Sequence, residues 1–321
     1  MARTVPVNIY LGTLTTDRMR GIAFIGASAL LLLAACKKDP DISTGNVAPY
    51  YNGVPTVVVQ NYVNRLFIDL IGREPLDVEM SAETSALESA KLSTDQRIAL
   101  VNKLMTNTDY IAGDSSYKQA YYQRQYELFK ARCLEGASDA IFDQYIGMAQ
   151  QAAFADSLAG DSVGYQLAKH EVDKLKAVKY VRIEYRNGII DIREVFRRML
   201  YNQVYDQINM NTFNFVNASF DDLYMRYPTA SEFTTAYDMV DTNTPVVLFG
   251  QPGQNKADYV TIVTHNNEFH EDMIRWCYHT FLGRDATTYE TYQALGDFIA
   301  TRDLQRVERN ILIGNEYANF P

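Results

Sequence analysis

Apolar residues fall on one helical face repeatedly along this chain, and at widely separated places they do so in the same register. Val63, Leu66, Phe67, Leu70 and Ile71 are spaced i, i+3, i+4, i+7, i+8, and Ile274, Cys277, Tyr278, Phe281 and Leu282 repeat that spacing. In a middle copy Val216, Phe220, Leu223 and Tyr224 fill four of the five positions, with Ser219 as the exception. This is the period of an amphipathic helix with one face turned to a core. Each stripe then stops in the same way. Gly72 and Gly283 follow the last apolar residue, where a left-handed backbone ends a helix without steric cost. Met225 takes that place in the middle copy, which must end differently or carry strain.

The turn that follows is also shared. Arg73, Arg226 and Arg284 come next, each six residues before Glu79, Glu232 and Glu290, and Pro75 and Pro228 forbid continuation of the helix. Thr229 with Glu232 and Thr287 with Glu290 match the capping box, in which both side chains meet orphan amides at a helix start. In the first copy Leu76 stands where the Thr should be, so Glu79 alone keeps the pattern. Each copy closes with a further apolar helix and an Asn/acid/aromatic signature: Asn107 to Tyr110, Asn266 to Phe269, and Gly314 to Tyr317. A repeated helix-turn-helix unit of this kind points to a helical scaffold whose copies share one packing solution.

These patterns predict an all-α fold of repeated helix-turn-helix units, with a helical insert and at most one small β-hairpin. The units span 56–116, 213–272 and 273–321. Between them, 117–180 reads as an insert of long helices over Tyr117 to Cys133, Asp139 to Ala159 and Ser162 to Val178. Residues 181–212 hold an alternating run across Asn187-Gly188, which predicts the hairpin. Asp191 and Glu194 then cap a degenerate repeat tail at Val195, Phe196, Met199, Leu200, Asn202 and Tyr205.

The amino terminus carries an address in place of fold information. Arg18 and Arg20 precede an apolar run from Ile22 that ends in Leu33-Ala34-Ala35-Cys36, a basic, apolar and small-residue order that marks a secretory signal with a lipid-acceptor cysteine. Residues 1–35 are therefore expected to be removed, with Met19 as the true start, and Cys36 to be lipidated at the head of a polar tether over 36–55. Lys at the second position after Cys36 favours the outer membrane, with surface exposure as the further possibility. Membrane contact comes through the lipid alone.

Hydrophobic content of 47%, mean hydropathy of −0.23 and a formal charge of −9 describe an acidic globular chain. No Lys/Arg cluster with interleaved aromatics is present, which excludes nucleic acid as a partner. Cys133 and Cys277 sit on predicted helices far apart in the chain and read as buried free thiols.

The first unit, VNRLFIDLIGREPLDVEM through RIALVNKLMTNTDYI, resembles the helical domains of planctomycete-type, cytochrome-associated surface proteins, with their Leu-Gly-x-x-Pro-x-x-Glu turn. The third, IRWCYHTFLGRDATTYET through VERNILIGNEYANF, is similar to the helical repeats of phycobilisome-linker-like surface proteins. Both resemblances imply a helical surface domain. Neither carries a catalytic residue onto this sequence, and no Cys-x-x-Cys-His haem site accompanies them.

Candidate chemistry is sparse. The three Arg–Glu pairs read as a clamp across the turn or as a capping Glu beside a solvated Arg, with structural roles favoured over binding of a cation or basic ligand by the glutamates. His265, Glu268, His270, Glu271, Asp272 and His279 form the one dense ligand-type cluster, with His265 and His270 as candidate metal ligands, although the spacing is not that of a metalloprotease. Tyr121, Tyr122 and Tyr126 are either helix-seam residues or a stacking surface for sugars or proteins. No nucleophile elbow, P-loop or dinucleotide fingerprint occurs. The expectation is a non-enzymatic, cofactor-free lipoprotein that serves as a scaffold or binding component of an envelope assembly with a protein partner. A glycan- or peptide-binding lipoprotein beside a transporter is the alternative, and a metal-dependent hydrolase the third.

Overall fold

The computed structural model describes residues 53–321. Cys36, the signal and the tether as far as residue 52 lie outside them. Among the described residues the fold is all-α, with fifteen helices and one two-stranded sheet.

The helices fall into four units. The first is α1 (Thr56–Ile71), α2 (Asp77–Ser89) and α3 (Thr94–Thr106). The second begins with α4 (Tyr117–Cys133), carries the long pair α5 (Asp139–Ala159) and α6 (Ser162–Arg186), and ends with α7 (Ile192–Leu200) and the short α8 (Gln203–Asn209). The third is α9 (Thr212–Tyr224), α10 (Ala230–Asp241), strands β1 (Val246–Leu248) and β2 (Gln251–Gly253), and α11 (Lys256–His265). The fourth is α12 (Asn267–Leu282), α13 (Thr288–Thr301) and α14 (Leu304–Leu312), closed by the short α15 (Asn315–Ala318). The stripe residues face inward as their spacing requires: Val63, Leu66, Phe67 and Leu70 are buried on α1, Val216, Phe220, Leu223 and Tyr224 on α9, and Ile274, Cys277 and Phe281 on α12.

The first helices of the units form the centre, with α1 on α4, α4 on α9 and α9 on α12. The last unit then returns to the first. Tyr62 Oη donates to the Leu312 carbonyl at 3.1 Å, Tyr317 Oη to Asp69 at 2.7 Å, and Arg309 to Asn102 at 2.8 Å. Arg65 also reaches the backbone carbonyls of Tyr317 and Phe281. The repeats are thus closed on themselves and do not end in an open stack. Cys133 and Cys277 are buried free thiols.

Two local expectations change. Residues 181–190 form no hairpin, because α6 continues to Arg186 with Val178 and Val181 on its buried face. The short alternation is outweighed by a helix that already exists, since adding a residue to a formed helix costs far less than nucleating a new element. Asn187-Gly188 serves as the helix end: Gly188 is left-handed at φ +67°, and the Ile189 amide returns to the Glu184 carbonyl at 2.9 Å. The hairpin lies at β1–β2, paired Val246 to Gly253 and Leu248 to Gln251 across Phe249-Gly250, both with positive φ. In addition, α4 is the first helix of a unit, so the insertion reduces to α5 and α6.

The three turn residues share one backbone conformation, with φ +83° at Gly72, +67° at Gly283 and +49° at Met225. Met225 therefore carries the strain that glycine avoids. Its side chain is partly exposed, so little packing is lost on truncation. Met225→Gly is expected to raise stability by up to about 1 kcal/mol and Gly72→Ala to lower it by a similar amount. Thermal or denaturant unfolding of the two variants checks both signs.

Candidate functional site

The repeated Arg is held alike in all three copies. Arg226 donates Nη1 and Nη2 to the two carboxylate oxygens of Glu232, both at 2.9 Å, and a further Nη1 bond to the Tyr227 carbonyl at 3.1 Å. Its Nε and Nη2 meet both oxygens of Glu268. Arg284 repeats the set, with Glu290 at 3.0 and 2.7 Å, the Asp285 carbonyl at 2.9 Å, and Glu316 at 2.6 and 2.7 Å. Arg73 binds Glu79 at 2.7 and 2.9 Å and the Glu74 carbonyl at 2.9 Å, but its Nε goes to Asp114 at 2.6 Å. Each Glu also takes an amide at the start of the next helix, from Leu76, Thr229 or Thr287, at 2.7 Å. The Glu is thus clamp and cap at once, and the Arg is not a solvated bystander.

Electrostatics follow the geometry. The Arg226 and Arg284 hydrogen bonds pull the Glu232 and Glu290 carboxyls down to about 2. For Glu79 burial pushes upward, but Arg73, the Leu76 amide and the Tyr117 hydroxyl outweigh it and the net shift is downward. All five N–H groups of Arg226 and Arg284 are engaged, so no donor remains on them for a ligand. The acidic partners Glu268 and Glu316 belong to the closing signatures seen in the sequence. In the first copy Asp109 bonds instead to Asn107, and Asp114 from the loop before α4 supplies the carboxylate.

The histidine cluster is divided by the fold. Glu268 is committed to Arg226, and Asp272 is buried against Arg132 at 2.5 Å. His270 is buried with its ring edge-on to Phe269 and Phe298, both 5.4 Å away, while His265 Nδ1 lies 2.8 Å from the Thr261 carbonyl. Burial pushes both imidazoles downward. No group of three or more His, Cys, Asp or Glu among the described residues is placed to hold a metal ion.

The tyrosine cluster is largely internal. Tyr121 and Tyr126 are buried, Tyr122 is half-buried, and Tyr126 Oη donates to Asp139 at 3.0 Å. Tyr121 Oη donates to the buried Glu308 on α14 at 2.5 Å. Sequence reasoning missed this pair, although a signal existed: aligning Val307, Ile311 and Leu312 with Val195, Met199 and Leu200 puts Glu308 where the other tail has Phe196. Phe196 packs edge-on against Phe269 at 5.4 Å. One node is apolar, and its counterpart holds a carboxyl.

A different kind of surface lies on the α5–α6 pair. Residues 150–170, at its distal end, include no buried residue, and 144–168 carry only two charges, Asp156 and Asp161. Phe154, Leu158, Val163 and Leu167 are 66%, 75%, 67% and 67% exposed, and Met148 is exposed as well. Phe154 and Leu158 share one stripe at i, i+4, whereas Met148 lies well round the helix from it. A helix apolar on several sides is ordinarily covered by something. No helix among the described residues is long and apolar enough to cross a membrane.

No protein-family model, curated protein or solved structure matches this chain.

Burial pushes the Glu308 carboxyl up to about 8, with Tyr121 offsetting part of the effect. The folded state then binds a proton that the unfolded chain releases near pH 4.5, so this group's contribution is full below pH 4.5 and is lost as pH rises through about 8. Glu308→Gln is expected to flatten that decline and to be more stable than the native protein at pH 9. Unfolding curves for both proteins from pH 5 to 9 read the difference, and parallel curves would contradict it.

Proposed function

We propose that this protein is a lipid-anchored, non-enzymatic helical scaffold of the outer membrane or cell surface, and that it joins an envelope assembly through its α5–α6 arm. The observation that carries the reading is the uncovered apolar end of that arm. An arm with two charges over 25 residues supplies desolvation and almost no Coulombic attraction, so the fitting partner is a protein with an apolar, helix-accepting surface. The closed repeats provide a rigid base from which the arm projects. The anchor rests on Leu33-Ala34-Ala35-Cys36, where a single diacylglyceryl-bearing cysteine would hold the domain at the bilayer through a short polar tether. The chemistry shared by the three turns supports the scaffold, because all five donors of Arg226 and Arg284 and four of the five of Arg73 are spent inside the protein.

Native electrophoresis of detergent-solubilised membranes tests both parts. The native protein is expected in the membrane fraction, in a particle well above the mass of one mature chain, which is itself below the 36.5 kDa of the full sequence. Phe154→Ser with Leu158→Ser should leave it membrane-bound and equally stable but shift it to the monomer. Cys36→Ala should release it from the membrane and abolish lipid labelling. A native protein that migrates as a monomer, or arm variants that stay assembled, would contradict the docking role, and membrane retention of Cys36→Ala would contradict the anchor.

A further inference from the structure

The face of α9 that looks toward α8 and the Tyr227 turn is open, and its openness has a local cause. Counting back seven residues from the left-handed turn position gives Arg65 in the first copy, Trp276 in the last and Ala218 in the middle one. Arg65 fills its space by lying over the Tyr317 ring at 4.1 Å, and Trp276 fills its own by packing on Phe129 at 6.0 Å. Ala218 fills nothing comparable. A groove of about 500 Å³ results, within the size range of small-ligand sites.

Its lining has a definite chemistry. Tyr227 is 71% exposed at one side, and Phe213, 59% exposed, is braced edge-on by Phe233 at 5.1 Å. Between these rings lie Asn214, Asn217 and Asp221, with Asn209 at the wall formed by α8. Asn209 and Asn217 each donate Nδ2 to a carbonyl one helical turn earlier, at 2.9 Å, which fixes their amides and leaves both side-chain carbonyls as acceptors. The side chains of Asn214 and Asp221 make no hydrogen bond to another described residue. The lining contains no Lys or Arg, and its one charge is acidic.

We infer that this groove binds a neutral oligosaccharide. Aromatic rings offer rigid area to the apolar face of a pyranose, while amide and carboxylate groups pair with its hydroxyls as donors and acceptors. An anionic ligand would meet Asp221 with no cation to offset it. A chiefly apolar ligand would strand four polar side chains. The groove uses none of the exposed residues at the end of the arm, and it gives the scaffold a second binding surface between α8 of the second unit and α9 of the third.

Titration calorimetry tests this on the described domain within the full mature chain, with cellotetraose, mannotetraose and tetra-N-acetylchitotetraose as neutral probes and tetragalacturonate as the anionic one. At least one neutral probe is expected to bind, with affinity falling tenfold or more in Tyr227→Ala and in Ala218→Arg, which restores the side chain of the first copy. Tyr289→Ala, a similarly exposed tyrosine after the Arg284 turn, should bind as the native protein does. Thermal unfolding of each variant separates lost binding from lost folding, and Tyr227→Ala, in an exposed turn, serves if Ala218→Arg fails to fold. No neutral binding up to about 10 mM, preference for tetragalacturonate, or binding indifferent to Tyr227→Ala in a folded variant would overturn the assignment.

Discussion

Three of the helix-to-helix turns are each organised around one guanidinium, which meets five donors at Arg226 and Arg284 and four at Arg73. Arg226 and Arg284 satisfy five N–H groups with two carboxylates and one carbonyl, and Arg73 follows the same plan with Asp114. That requirement places three chain segments at once: the end of the first helix, the start of the second through the capping Glu, and the element after the third through the second acid. Left-handed residues at 72, 225 and 283 bring the Arg to its position, and the strain at Met225 indicates that the backbone turn is kept even where glycine is absent. A planar fork can meet this set, whereas a single ammonium cannot. Exposed ion pairs contribute little alone, but a bidentate pair tied into a cap and a second carboxylate is a network.

The closed arrangement follows from the same parts used in pairs. Tyr317 on α15 bonds Asp69 on α1 at 2.7 Å, and Tyr205 on α8 bonds Asp222 on α9 at 2.8 Å. Asp69 and Asp222 occupy one repeat position, three residues before the left-handed turn, so the two short helices seat on their neighbouring units through one contact. Against this background the departures stand out. Glu308 stands where the closing helix of the second unit has Phe196, and Ala218 replaces a bulky side chain at one of three equivalent faces. Structure is carried by what the copies share, and the candidate binding chemistry lies where they differ.

Much of this architecture is legible in the sequence because its signals are local. The i, i+3, i+4 stripes, Gly72 and Gly283, and the Thr–Glu boxes each act within one or two turns of helix. Even the limits of α4 and α5 follow from the pattern over 117–159. The hairpin misplaced at Asn187-Gly188 shows the boundary of such reasoning, since the same dipeptide that turns a hairpin also ends a helix. Residues that act across the chain were harder to read. Asp114 substitutes for the acid of the closing signature from a loop of different length, and Tyr121 meets Glu308 across 187 positions. The sequence likewise nominated His265 and His270 from proximity along the chain, while the fold commits their acidic neighbours to Arg226 and Arg132.

Replacing Arg226 by Lys tests the turn network most directly, because Lys keeps the charge and removes the fork. If the five-donor network organises the turn, Arg226→Lys should lose on the order of 1–2 kcal/mol of unfolding free energy and lie close to Arg226→Ala. A Lys variant as stable as the native protein would show that charge alone suffices there, and the account of the repeat would fail.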